Sequence, residues 1–119
     1  MEKISKNKPY DLEERTFQFA KRAFKYFKFL PKTVTNIEVS KQGTRSSGSI
    51  GANFIEANEA FSRKDFIMRV KISRKESKET IYWLKLSEST EIQELEKIYL
   101  IQEATELMKI FGSIIEKSK

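Results

Sequence analysis

Residues 42–61 combine two properties that pull against each other. The stretch is crowded with Gly, Ser, Ala and Asn, yet it places Ser47, Ile50, Gly51, Phe54, Asn58 and Phe61 at three- and four-residue steps. Such steps mark one face of an α-helix. The composition opposes that helix, because Gly43, Gly48 and Gly51 each cost about 1 kcal/mol relative to Ala in a helix interior. A helix kept under this handicap must be held by packing, and small side chains let a neighbouring backbone come close. A break near residues 43–48 is the alternative path.

The rest of the chain reads as helices set around this one. Asp11 with Glu14 forms a capping-box-like start, in which the Asp side chain satisfies free N–H groups of the first turn. Phe17, Ala20, Phe24 and Phe27 then predict the inner face of a helix over residues 12–29, which Pro31 cannot continue. Thr35 with Glu38 opens the small-residue helix, predicted to run to residue 60. Ser62 with Asp65 starts a third helix almost without a loop, with Phe66, Val70, Ser73, Ser77, Thr80 or Ile81, and Leu84 inward, ending at residues 86–88. Thr90 with Gln93 caps a fourth, predicted to reach residue 116. Its inner stripe is Ile92, Leu95, Ile98, Ile101, Thr105, Met108, Phe111 and Ile115, flanked by Leu107, Ile110 and Ile114. No segment alternates like a strand. Residues 1–10 read as a flexible basic arm, and residues 11–119 as one domain. Short turns make successive helices antiparallel, so the predicted fold is all-α, an antiparallel up-and-down four-helix bundle.

Gln42, Arg45, Ser46, Ser47, Ser49, Ile50, Ala52, Asn53, Ile55 and Glu56, followed by Ser62, Lys64, Asp65 and Phe66, resemble the signature of a known family. Its members are bacterial four-helix-bundle proteins first described as reading frames within intervening sequences of 23S ribosomal RNA genes. The opening Tyr10-Asp11-Leu12-Glu13 and the Leu30-Pro31 turn also sit where that family has a similar start and first loop. The resemblance implies the bundle and a ring-like homo-oligomer, often a pentamer; the family's molecular function is largely unassigned. Two positions depart from its pattern. Ala57 stands where many members continue Glu-Gly, and Arg74-Lys75-Glu76 replaces a more apolar segment, making the third helix more basic here.

The formal net charge of +6 favours anionic partners. It is uneven: residues 62–87 carry eight basic and three acidic side chains, whereas residues 88–119 carry four and seven. At 100° per residue, Lys64, Lys71, Lys75, Lys78 and Lys85 share a narrow arc, with Arg74 at its edge. These six are the candidate nucleic-acid-binding residues, contacting phosphates of RNA or DNA without reading sequence. The plainer reading is a solvated face with i,i+4 pairs such as Lys75–Glu79. On the second helix, Gln42, Arg45, Ser49, Ala52 and Glu56, continued by Glu59, form a small polar stripe opposite the apolar face. Either it is ordinary surface or it is an oligomer seam, with Arg45 and Glu56 pairing across copies. Trp83 joins the first five of these as a candidate interface anchor. Phe19, Tyr26, Tyr82 and Trp83 fall off the predicted inner faces, as edges of a wide core or as an interface with a second subunit.

Catalysis finds little support. The chain has no His and no Cys, which removes the usual neutral-pH base, the di-iron Glu-x-x-His pattern and cysteine-based zinc sites. Glu76 and Glu79 read as surface partners for neighbouring lysines, and the glycines lack a phosphate-loop lysine. No cofactor and no metal site are expected. No apolar run approaches the roughly 20 residues that span a bilayer, and no secretory signal opens the chain, so no membrane partner is expected and a cytoplasmic location fits. The expected function is that of a non-enzymatic, oligomeric module associated with nucleic acid or ribonucleoprotein. The alternative is a scaffold for a protein partner with no nucleic-acid role.

Overall fold

The structure is a computed structural model describing residues 9–119. The expected basic arm lies outside the described residues, except that Pro9 and Tyr10 are already helical. Four helices follow, α1 (Pro9–Lys28), α2 (Val34–Asn58), α3 (Arg63–Leu86) and α4 (Glu94–Ser118). They pack in chain order, and a slimmer α1–α4 contact closes the ring. This is the antiparallel up-and-down four-helix bundle.

The helix α2 is continuous through its glycines, so the alternative break does not occur. The reason is visible at the α1–α2 contact. A Cβ on Gly43 would lie 2.2 Å from the Phe27 ring, and one on Gly51 would lie 2.8 Å from the Thr16 hydroxyl. The missing side chains are filled by α1 itself. On its other flank α2 meets α3 through buried hydroxyls. Ser73 donates to the Ile50 carbonyl at 2.8 Å, and the Ser46 and Thr80 hydroxyls are 2.8 Å apart. Ser77 and Thr80 donate back to carbonyls of their own helix. Every buried hydroxyl in this seam is satisfied, so the helices approach closely without orphaned polar groups. Phe54 of α2 and Phe111 of α4 meet across the diagonal, with ring centroids 5.7 Å apart.

The inner faces of α2 and α3 largely follow the sequence pattern, although Phe61 is fully exposed in the turn between them. The faces of α1 and α4 are rotated from the prediction. Helix α1 buries Leu12, Thr16, Phe19, Ala23, Tyr26 and Phe27, leaving Phe17 and Phe24 largely in solvent. Helix α4 buries Leu100, Ala104, Leu107, Phe111 and Ile115, while Ile92, Leu95 and Ile98 are exposed. Both helices are apolar around more than one side, and tertiary packing chose the other side.

Ser62 caps α3 as expected, whereas the Thr90–Gln93 box forms ahead of α4, whose N-cap position is Gln93 with no side-chain cap bond. Ser62 accepts from the Asp65 N–H, and Thr90 and Gln93 exchange side chain and backbone in a reciprocal box one turn ahead of α4. At α2 the cap is Thr33, not Thr35, and its hydroxyl accepts from the Asn36 N–H at 3.0 Å. Asn36 is buried and ties two loops together: it donates to the carbonyls of Pro31 and Glu88 and accepts from the Glu88 N–H. Helix α1 is already formed at Pro9, ahead of the start predicted from Asp11. Proline fits a first helical turn, where its missing N–H has no partner to lose.

Candidate nucleic-acid interface

Lys64, Lys71, Arg74, Lys75, Lys78 and Lys85 are all exposed on the outer side of α3. From Lys64 to Lys85 the row runs about 31 Å at 1.5 Å per residue. Among the described residues, none of the six is in an ion pair. The Lys75–Glu79 pair anticipated along the helix is not formed.

Two carboxylates of α3 are held by a single residue of α2. Glu76 is buried rather than on the surface, and Arg45 of α2 donates to it at 3.1 Å and to Glu79 at 2.5 Å. The hydrogen bond to Glu76, working against desolvation of the guanidinium, holds the Arg45 pKa above its usual value. A single arginine thus absorbs both acids on the α2 side and leaves the lysine row uncompensated. An open groove of about 590 Å³ runs along that row, lined by Lys71, Arg74, Lys75, Lys78, Glu79 and Tyr82. Tyr82 stands within the lysine arc, a position the periodicity contained but charge counting overlooked.

The candidate seam on α2 has a different character. Arg45 is half-exposed and, through one guanidinium nitrogen, pairs within its own chain with Glu76 and Glu79. Gln42 donates to Glu38, and Ser49 donates to the Arg45 carbonyl. Ala52 and Glu56 are exposed. Trp83 is half-buried, and its indole Nε1 is buried with no hydrogen-bond partner in the structure. Phe19 and Tyr26 belong to the core, whereas Tyr82 is exposed.

On the opposite side, two arginines of α1 clamp α4. Arg15 pairs with Glu103 at 2.7 and 2.9 Å, and Arg22 pairs with Glu96 at 2.6 and 2.9 Å. The Arg22 guanidinium also lies 3.7 Å from the Tyr99 ring centroid. These bidentate pairs reinforce the slimmest contact of the bundle. They also consume the arginines of α1, which separates its charge from that of α3.

No group of three or more potential metal ligands occurs among the described residues. None of the helices is long and apolar enough to cross a membrane.

The sequence pattern of the 23S rRNA-intervening sequence proteins matches residues 8–113. The chain belongs to that family. Its fold is similar to that of a solved protein of unknown function from the S23 ribosomal protein family of Bacteroides thetaiotaomicron. The two share 36% identity with a TM-score of 0.77, over 91% of this chain and 97% of that one. No functionally curated protein matches. Within this family framework the conspicuous local chemistry is the unpaired basic face of α3.

Proposed function

We propose that this 23S rRNA-intervening sequence family protein is a non-enzymatic, self-assembling bundle that holds the phosphate backbone of nucleic acid on the outer face of α3. The observation that carries this reading is the row of six exposed cations with no carboxylate partner. Lysines so arranged release condensed counterions when they meet phosphates, which gives affinity without base specificity. Assembly is supported by apolar side chains that the monomer leaves in water. Ile92 and Leu95 are 92% and 80% exposed at the start of α4, with Ile98 one turn on. Phe17 and Phe24 are exposed on α1, where Phe24 lies against Gly48 of α2. Two separate apolar patches suit head-to-tail contacts, which close into rings; the family resemblance suggests five copies.

The same apolar patches favour a second reading, a scaffold that docks a different protein. Purification from cells at low salt, with and without nuclease, separates the two. Nucleic acid that co-purifies with the wild type and is lost with Lys71→Glu/Lys75→Glu/Lys78→Glu supports the first. A nuclease-resistant protein partner, with no nucleic acid recovered, supports the scaffold.

A further inference from the structure

We propose that Tyr82 is a base-stacking platform that makes the α3 face selective for single-stranded nucleic acid. This rests on the reading of α3 as a phosphate-binding surface and adds the class of strand it takes. A face built only to neutralise phosphates has no use for an aromatic ring in water. Tyr82 is nevertheless 58% exposed between Lys78 and Lys85, toward the C-terminal end of the lysine row. Lys75 and Lys78 precede it by seven and four residues and Lys85 follows by three, so all four side chains leave α3 on one side. The ring is braced edge-to-face by half-buried Trp83, with centroids 5.1 Å apart at 73°. A braced ring has less freedom to lose when a base stacks on it.

The groove beside Tyr82 is suited to a strand. Its lysines line one wall, and its one acid, Glu79, is paired with Arg45, which reduces repulsion of phosphates. From Lys75 to Lys85 the face covers about 15 Å. That length corresponds to about four nucleotides at the stacked rise of about 3.4 Å per strand. Duplexes keep their base faces stacked inside, so only an unpaired strand can offer a base to the ring. Arg45 is a positioning residue here, because its pairing with Glu79 offsets the one carboxylate that lines the groove.

The test compares a labelled 12-nucleotide single strand with a 12-base-pair duplex at equal salt, using wild type, Tyr82→Ala, Tyr82→Phe and Lys75→Glu/Lys78→Glu. The wild type should prefer the single strand. Tyr82→Ala should weaken single-strand binding about 5- to 150-fold, the range typical of one lost base stack. Duplex affinity and the salt dependence should stay unchanged, because no cation is removed. Tyr82→Phe should bind like wild type. Trp83 is the only tryptophan, so its fluorescence should change when the single strand, but not the duplex, binds. Circular dichroism and light scattering on Tyr82→Ala keep folding and assembly separate from binding. If Tyr82→Ala binds the single strand as well as wild type while Lys75→Glu/Lys78→Glu does not, stacking is wrong and phosphate binding survives. Equal losses on strand and duplex, or a loss accompanied by a smaller assembly, also overturn the stacking role. Failure of wild type to bind either probe at low salt removes both proposals.

Discussion

At the residue scale, the chemistry of this bundle depends on what small or buried groups allow. Gly43 and Gly112 are both helical, but only Gly43 faces a rigid ring, while a Cβ on Gly112 would meet the Arg74 side chain at an ordinary 3.8 Å. Gly43→Ala should therefore destabilise by about 1–3 kcal/mol, because the strain of overpacking exceeds the gain in helix propensity. Gly112→Ala should stabilise by about 0.5–1 kcal/mol. Chemical denaturation of the two variants checks the contrast, and a stable Gly43→Ala would refute the close α1–α2 contact. Asn36→Leu should cost about 1–3 kcal/mol, since it orphans the Glu88 N–H and the Glu88 carbonyl, while the Pro31 carbonyl keeps the Thr33 N–H.

Tyr26 gives a pH-dependent counterpart. Burial raises the pKa of its phenol, partly offset by hydrogen bonding to Ser87. Ser87 donates its own hydrogen to the Leu84 carbonyl, so the Tyr26 hydroxyl donates to Ser87 at 2.6 Å. An ionised Tyr26 would lose that donor. Because the folded pKa lies above the unfolded value near 10, the contribution is intact below about pH 10 and is lost as pH rises through the folded value. Denaturation midpoints of wild type and Tyr26→Phe should differ by a constant amount below about pH 10 and converge above it. A constant difference at all pH values would contradict this assignment.

At the element scale, α2 and α3 were legible in the sequence, whereas α1 and α4 were legible only as helices. On α2 the pattern placed Gly51 inward with Ile50 and Phe54 but left a break near residues 43–48 open, because the Phe27 ring that fills the space at Gly43 belongs to another helix. On α3 the Ser73, Ser77 and Thr80 row reads inward because Lys71, Lys75 and Lys78 read outward. Helix α1 offers Phe17 and Phe24 on one side and Phe19, Ala23 and Tyr26 on another, and periodicity alone does not choose between them. Helix α4 repeats the ambiguity with Ile92, Leu95 and Ile98 against Leu100, Leu107 and Phe111. Thr33 and Thr35 compete for the same cap, and Thr33 prevails because Asn36 is drawn to the loop beside Glu88. The lysines of the candidate site were readable from spacing. The capture of Glu76 and Glu79 by Arg45 was not, because it joins residues on different helices.

At the scale of the whole molecule, the ion pairs within the chain lie apart from the lysine row of α3. The arginines of α1 are spent on α4, Arg45 is spent on the acids of α3, and the lysines of α3 remain unspent. Ile92, Leu95 and Ile98 are exposed. Light scattering should find the wild type as an assembly, and Ile92→Lys/Leu95→Lys should reduce its mass toward that of one chain. A monomeric wild type would rule out assembly. Glu56→Lys provides the comparison on the α2 stripe, where unchanged mass would remove that stripe from the interface.

Phosphate contact by the α3 lysines is read out by the salt dependence of nucleic-acid binding. The observed association constant for an RNA strand should fall linearly in log–log form with salt, with a slope near −0.7 for each phosphate neutralised. Lys71→Glu/Lys75→Glu/Lys78→Glu should weaken binding and flatten that slope by about 2. A slope unchanged by the triple substitution, or no RNA binding by the wild type at low salt, would contradict the account.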